Sequence, residues 1–363
     1  MKLVLGEEQR QLRQAVRSFL AAASPPPKAR DGYDPAVYAR LNGELGLSGL
    51  IVPEEYGGAG AGFAELAVAL EETGAALLPG PFLATVFATI ALTRVPDKDL
   101  LAGIAEGRLT ATLARSPGGA GHLADVTAAP APGGGVAVHG ELTQVLSGME
   151  ADVLVVPALT GDGAVLVAVD LTAGDLTAGG VTRTPLETLD VTRGQAHVEL
   201  DGAPGRVLGT LPAGDGVSDG VGDRMAVALA AEQLGVLRGS LEAIVAYAKI
   251  RVAFGRPIGS YQGVKHKLAD MHGKLEQAES IVRYAAWAAD AAPGELPAAA
   301  ALAQAYVGRA CFEVARDHLL LHGGVGFTWE HDAHLFYKRA KADEVLLGPP
   351  RVHRARLAGL LEL

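Results

Sequence analysis

The order of sequence patterns along the chain is the feature that most restricts its fold. In residues 1–107 apolar residues recur at helical spacing, as at Leu12, Val16 and Phe19. In residues 108–212 short Val-rich runs are separated by Gly, Pro and Asp, and after these the long helical patterns return. Helices, then strands, then helices differ from the alternating βαβ arrangement, so the pattern argues against a Rossmann domain.

The three blocks predict an α+β multidomain protein, because 363 residues exceed what one hydrophobic core usually holds. We expect an N-terminal helical domain over 1–107 and a central β domain, a barrel or a sandwich, over 108–212. A C-terminal four-helix bundle is expected over 213–363, with helices at about 223–250, 260–290, 296–322 and 330–346.

Composition excludes several classes of partner. The formal net charge is -10 and no basic run is present, which disfavours binding to nucleic acid or to an anionic membrane surface. No apolar run reaches the roughly 18 residues that a membrane-spanning helix needs. Cys311 is the single cysteine, so an internal disulfide is impossible, and we expect a reducing, cytoplasmic location.

The most informative segment is YAKIRVAFGRPIGSYQGVKHKLADM, from Tyr247 to Met271. It predicts a helix, a Gly/Pro turn and a second helix that Ser260 caps. The turn presents Arg251, Phe254 and Gln262 together. Arginine offers a charged planar fork to a pyrophosphate, phenylalanine offers a face to an adenine, and glutamine can bond polar edges. Taken alone, an arginine at a helix end is more often a surface residue that stabilises the helix dipole.

A second segment, LHGGVGFTWEHDAHLFYKRAK, runs from Leu321 to Lys341. Gly323 and Gly324 follow a predicted helix, where glycine commonly ends the helix in the left-handed conformation. Glycine also lets the backbone approach a phosphate or an adenine without a side-chain collision. Both roles can hold at once.

These two segments, together with LGLSGLIVPEEYGGAG at Leu45–Gly60, resemble the acyl-CoA dehydrogenase family, and the resemblance runs in order along essentially the whole chain. It implies the acyl-CoA dehydrogenase fold and the cofactor FAD. In the family the matching positions hold the ADP half of an FAD that belongs to a neighbouring subunit. Those positions here are Arg251, Phe254, Gln262, Gly323 and Gly324.

The chain departs from the family where catalysis would occur. Removing hydrogen from Cα and Cβ of an acyl thioester needs a carboxylate that accepts the α-proton, beside a flavin that accepts hydride. Of the two places where the family carries that carboxylate, one is matched here by Leu347 and the other by Met225. Ala226 stands where the family usually has an arginine. The catalytic residues therefore stay unassigned.

Contacts to the flavin ring are also reduced. The family's Thr-Glu-Pro segment is matched by RSPGGAGHLAD, residues 115–125, and its Trp-Ile-Thr strand by Gln144, Val145 and Leu146. The chain thus keeps the side of the cofactor site that it would lend to a neighbour and loses the side that it would use itself.

The resemblance implies FAD-dependent α,β-dehydrogenation of an acyl-CoA thioester, with a bulky acyl group, by one subunit of an oligomer that shares FAD. The expected partners are a second acyl-CoA dehydrogenase-like subunit, or further copies of this chain, and an electron-transfer flavoprotein. One alternative is a catalytically silent subunit that completes a partner's FAD site. Another is a biosynthetic relative that acts on an acyl group bound to a carrier protein.

A self-sufficient homo-oligomer would need another carboxylate as its base. Glu232 lies two helical turns after Met225 on the same face, and Asp223 lies two residues before it. The simpler interpretation makes Glu232 part of a buried ion pair and Asp223 a favourable charge at a helix start.

Four histidines crowd one region and raise the question of a metal site: His318, His322, His331 and His334. Zinc requires three or four convergent ligands, and only the first two share a helical face. No metal site is predicted.

Overall fold

A computed structural model describes residues 3–114, 126–132, 134–172, 179–211 and 220–363. The N-terminal part is helical, as expected. Gly46 ends the second helix with φ of 63°, a left-handed conformation that glycine adopts without strain. The helices are α1 (Glu7–Ala23), α2 (Pro35–Leu45), α3 (Phe63–Ala75), α4 (Phe82–Leu92) and α5 (Lys98–Ala105).

The strands form a closed barrel. Strand β4 pairs with β2 in parallel, and antiparallel pairs then run from β2 to β3, β7, β5 and back to β4. Strand β1 extends the parallel edge of β4, and β6 pairs with β7. Closure decides between the two predicted β architectures. The strands are β1 (Ala111–Leu113), β2 (Val126–Pro130), β3 (Val136–Leu146), β4 (Val153–Thr160), β5 (Gly163–Asp170), β6 (Val181–Pro185) and β7 (Gln195–Thr210).

The C-terminal part contains the four expected long helices and one that the sequence pattern does not predict. Helices α6 (Val221–Ile250), α7 (Gln262–Ala291), α8 (Leu296–Leu321) and α9 (Ala333–Leu346) pack together, and α10 (Pro350–Leu360) lies against α8. A short hairpin, β8 (Val252–Ala253) and β9 (Arg256–Pro257), connects α6 to α7. The α+β fold class is confirmed.

Two hydrophobic cores hold these layers. One lies inside the barrel, and the other contains residues from α1 through α9, so the N-terminal and C-terminal helices share one core. The predicted boundary between 212 and 213 falls outside the described residues, and both domain boundaries stay predictions. Along the part of the chain that the structure describes, no helix is long and apolar enough to cross a bilayer.

Candidate functional site

The hairpin between α6 and α7 carries two of the predicted cofactor-binding residues, Arg251 at its base and Phe254 at its tip. Phe254 and Gly255 occupy its tip with φ of 51° and 81°. Positive φ at both central residues is the geometry of the tightest two-residue hairpins, and for a bulky side chain it costs about 1–2 kcal/mol. Phe254 is also 96% exposed. A strained, fully exposed aromatic ring indicates a contact that lies outside this chain.

Hydrogen bonds fix the hairpin on the helices that flank it. The Ile258 backbone N–H donates to the Arg251 carbonyl oxygen at 2.8 Å. The Tyr261 hydroxyl donates to the Ala253 carbonyl oxygen, also at 2.8 Å. The hairpin therefore presents Arg251 from a rigid base at the end of α6, and its guanidinium is exposed.

The start of α7 differs from the sequence prediction. Helix α7 begins at Gln262, and the residue before it, Tyr261, occupies the N-cap position, where its side chain makes no capping hydrogen bond to the helix. The prediction that Ser260 caps this helix is wrong. Its hydroxyl instead donates to the Pro257 carbonyl oxygen at 2.7 Å, which stabilises the preceding turn. Gln262 is exposed at the helix start.

Aromatic stacking brings the two predicted segments together, although about 70 residues separate them. The ring of Tyr247, one turn before Arg251, lies 4.2 Å from the ring of His322, centroid to centroid. Gly323 follows directly with φ of 67°, so it is a left-handed residue at the end of α8, and a Cβ there would meet nothing within 4 Å. Gly323 and Gly324 are exposed.

The five predicted cofactor residues thus lie on two adjacent segments and face away from the chain's own core. Their assignment to FAD stays a prediction. Their exposure fits a cofactor held against a neighbouring subunit, because an arginine fork, an aromatic face and bare glycine backbone are available there without competing contacts.

The two residues predicted to stand at the family's catalytic positions, Met225 and Leu347, have no side-chain group that accepts a proton. Met225 is 1% exposed and belongs to the helical core. Helix α4, buried along its whole length, packs against α6. Leu347 is partly buried at the end of α9. Neither residue lines the clefts of about 680, 540, 420 and 60 Å³ on the described part of the chain.

The two alternative carboxylates form ion pairs with arginines. Asp223, in the first turn of α6, forms an ion pair with Arg356 of α10. Glu232 is buried, and its Oε1 lies 3.2 Å from Nη1 of Arg339, while its Oε2 pairs with Arg193. The structural interpretation of Glu232 as a buried ion pair is confirmed, whereas Asp223 has a specific partner beyond its place at the helix start.

Glu232 belongs to a larger group that the sequence pattern does not reveal. We call Asp190, Arg193, Glu232, Arg339 and Asp343 the buried ion cluster; all five side chains are at most 5% exposed. Arg339 also donates to the carbonyl oxygen of Leu78 at 3.3 Å. The cluster therefore links the β6–β7 connection to α6, to α9 and to the N-terminal helical region.

The cluster contains three carboxyl groups and two guanidinium groups, so full ionisation would leave one excess negative charge. Burial raises the pKa of Asp343 to about 7. The nearby Glu232 carboxylate also raises this pKa, whereas the Arg193 guanidinium lowers it. Although burial opposes it, Arg339 and Arg193 lower the pKa of Asp190. A protonated Asp343 makes the cluster neutral, which a low-dielectric interior favours.

The segment that the sequence predicts to match the family's strand beside the flavin ring lies at the end of β3. Gln144 is exposed here, whereas Val145 and Leu146 are buried apolar residues. Residues 115–125, which match the family's other ring-side segment, lie outside the described residues. The strand supplies no hydroxyl at the position of the family's threonine.

Three of the four histidines form a row of ring contacts, edge-on between His318 and His322 and tilted between His322 and His331. Ring centroids of His318 and His322 lie 4.8 Å apart, and those of His322 and His331 lie 4.2 Å apart. His334 instead packs against Trp329. In the ranges that the structure describes, no group of three or more histidine, cysteine or acidic side chains is arranged for a metal ion.

Comparison with known proteins decides the family. The model of the acyl-CoA dehydrogenase N-terminal domain matches residues 6–96, and that of the C-terminal domain matches residues 222–361. The chain belongs to the acyl-CoA dehydrogenase family. The family consists of FAD-dependent flavin oxidoreductases, which confirms the predicted enzyme class and cofactor.

Similar proteins include the acyl-CoA dehydrogenase IpdE2 of Mycolicibacterium smegmatis, which is 34% identical over 97% of this chain and 98% of its own length. A variant of the Tcur3481-Tcur3483 steroid ACAD is 30% identical with a TM-score of 0.84, covering 99% of both chains. The ChsE4-ChsE5 complex of Mycobacterium tuberculosis is 29% identical with a TM-score of 0.83, covering 100% of this chain and 99% of the other.

Proposed function

We propose that this acyl-CoA dehydrogenase chain is the cofactor-supporting subunit of a heteromeric enzyme. It lends the exposed surface around Arg251 and Gly323 to an FAD whose ring and catalytic carboxylate lie in a partner subunit. Bound FAD would supply the hydride acceptor for α,β-dehydrogenation of an acyl-CoA thioester. This chain's own residues would hold and orient the nucleotide half of the cofactor.

The proposal rests on the residues at the predicted catalytic positions, which cannot act as a base. A general base must come within hydrogen-bonding reach of the α-proton, about 2.6–3.2 Å between heavy atoms. Met225 and Leu347 have no group that accepts a proton. Glu232 is buried between two arginines, and Asp223 is paired with Arg356. We therefore assign the base to a partner subunit.

The outward surface supports the same assignment. Arg251 and Phe254 extend from a hairpin held by backbone hydrogen bonds, and neither side chain packs into the core. A single-chain protein gains little from an exposed ring in a strained conformation, since both exposure and strain cost free energy. Contact with an adenine and a second subunit would offset both costs.

The substrate that we propose is a CoA thioester of a bulky acyl group, such as a sterol side chain or ring remnant. Support comes from two of the similar structures, one of a steroid ACAD and one of a two-component complex. An electron-transfer flavoprotein is proposed as the electron acceptor. An acyl group on a carrier protein is the competing substrate, and a parallel assay with both thioesters distinguishes them.

Flavin stoichiometry tests the proposal. We expect the chain purified alone to hold almost no FAD, and the complex co-purified with its partner to hold one FAD for each pair of chains. Arg251→Ala should weaken the affinity of the complex for FAD by about tenfold or more, because a charge-assisted contact to the pyrophosphate is lost. The flavin content of the purified complex should fall accordingly. Arg354→Ala, which removes an exposed arginine of α10, is the matched control.

Turnover measurements distinguish the roles of the two subunits. Replacing the partner's catalytic carboxylate should abolish dehydrogenation, whereas Asp223→Asn in this chain should leave it within about twofold. One FAD per chain in the protein purified alone, together with turnover that Asp223→Asn abolishes, would establish a self-sufficient homo-oligomer and refute the proposal.

A further inference from the structure

A cleft of about 540 Å³ is lined by Tyr247 and Ile250, close to the hairpin, and by neither Met225 nor Leu347. Small residues at the end of α3 and along α6 line it, and we call them the alanine floor: Ala75, Ala76, Gly239, Ala243 and Ala246. Pro25, Pro26 and Pro27, which follow α1, also line the cleft. Apolar lining without bulky side chains leaves room for a fused-ring skeleton, since ligand pockets of about 300–1,000 Å³ are typical for small molecules.

One end of the cleft is polar, and hydrogen bonds determine the character of its imidazoles. Nδ1 of His322 lies 2.9 Å from the carbonyl oxygen of His318, so it must carry the proton, and Nε2 is left as an acceptor. The Ala333 backbone N–H donates to Nδ1 of His331 at 3.1 Å, so Nε2 of His331 carries the proton and is a donor. The two rings are 4.2 Å apart.

This end of the cleft therefore offers one acceptor and one donor side by side. The Tyr247 ring lies beside that of His322 and also lines the cleft, and among the described residues its hydroxyl has no hydrogen-bond partner. A hydroxyl group is the natural complement because it donates and accepts at once. Deeper in the cleft wall, His318 is 1% exposed, and within the described chain neither ring nitrogen has a partner.

The charges at the other end are already paired. Nε of Arg17 lies 3.0 Å from Glu72, and Nη2 of Arg238 lies 2.8 Å from the same carboxylate. Burial lowers the pKa of His322, and the neighbouring His331 acts in the same direction. The Asp332 carboxylate at this end is paired with Arg30. The cleft therefore favours an uncharged ligand.

We infer that this cleft is a binding site for a neutral fused-ring alcohol, separate from the acyl-CoA and FAD sites. The ring skeleton would lie on the alanine floor, and its hydroxyl would donate to Nε2 of His322 and accept from Nε2–H of His331. Because Tyr247 and His322 also support the hairpin and Gly323, occupancy would rigidify the base of the surface that the chain presents to a partner.

Calorimetric titration of the FAD-loaded complex with decahydro-2-naphthol tests the inference. We expect saturable binding of the alcohol and about tenfold weaker binding of decalin, which lacks the hydroxyl. In the NMR spectrum of the imidazole nitrogens, the alcohol should shift the Nε2 signals of His322 and His331. Ala243→Leu should abolish binding because its side chain fills the floor.

The polar end is tested by His322→Phe, which keeps a ring in the row of ring contacts and should weaken binding about tenfold. Tyr247→Phe gives a second, gentler change in case the first variant misfolds. His272→Phe, on the exposed surface of α7, should leave the affinity unchanged. Equal binding of alcohol and hydrocarbon, or unchanged binding in Ala243→Leu, overturns the inference. Dissociation of the complex by Ala243→Leu without any alcohol binding would identify the cleft as a protein contact and also overturn it.

Discussion

Asp343→Asn probes the buried ion cluster most directly. In the folded protein Asp343 has a pKa of about 7, against 3.8 in its ordinary state, and burial is the main cause. A carboxyl group whose pKa rises on folding binds more protons in the folded state between those two values. The folded state therefore loses stability as pH rises from about 4 to about 7, and above that the loss is constant.

The size of this effect follows from the pKa difference. Three units correspond to about 4 kcal/mol at full ionisation, of which roughly 3 kcal/mol develops between pH 5 and pH 8. Asparagine keeps an oxygen that accepts from Arg193 but cannot ionise. We expect the free energy of unfolding of Asp343→Asn, relative to the wild type, to increase by about 3 kcal/mol over that range.

Urea denaturation at pH 5, 6, 7 and 8 measures this difference, at one protein concentration because subunit association also affects stability. Asp162→Asn, which alters an exposed aspartate of the β4–β5 turn, should show no such trend. A stability difference between Asp343→Asn and the wild type that does not change with pH would refute the assignment of a shared proton to the cluster.

Three further predictions concern packing, pairing and strain. Gly235→Ala should destabilise the fold by about 3 kcal/mol, since its Cβ would lie 1.9 Å from the Glu71 carbonyl oxygen. Gly263→Ala, in open space on α7, should be neutral or stabilise the fold by about 1 kcal/mol. Thermal unfolding compares the two variants. Arg339→Ala removes the ion pair of the buried Asp190 carboxylate and one of the two arginine partners of Glu232, and should cost about 3–5 kcal/mol in urea denaturation. Phe254→Gly relieves positive φ and should stabilise the isolated chain by about 1 kcal/mol by calorimetry, yet lower FAD retention in the complex.

The helical regions follow closely from periodicity, because a 3.6-residue repeat of apolar residues identifies a long buried stripe. Helix α6 is found at Val221–Ile250 and α8 at Leu296–Leu321, close to the expected ranges. The sequence pattern does not predict strands β2 and β6, since five residues of mixed polarity resemble a loop. Nor does it predict helix α10, because much of the surface of that helix is exposed.

The sequence alone determined the order of helices, strands and helices and the absence of a carboxylate at 225 and 347, and it supplied the prediction of which residues bind a nucleotide. Those are properties of residue type and spacing. Only the tertiary structure decided that the sheet closes into a barrel, that Glu232 is neutralised by Arg193 and Arg339, and that Tyr247 stacks on His322. Each depends on residues far apart in the chain, and local sequence does not specify which distant partners packing brings into contact.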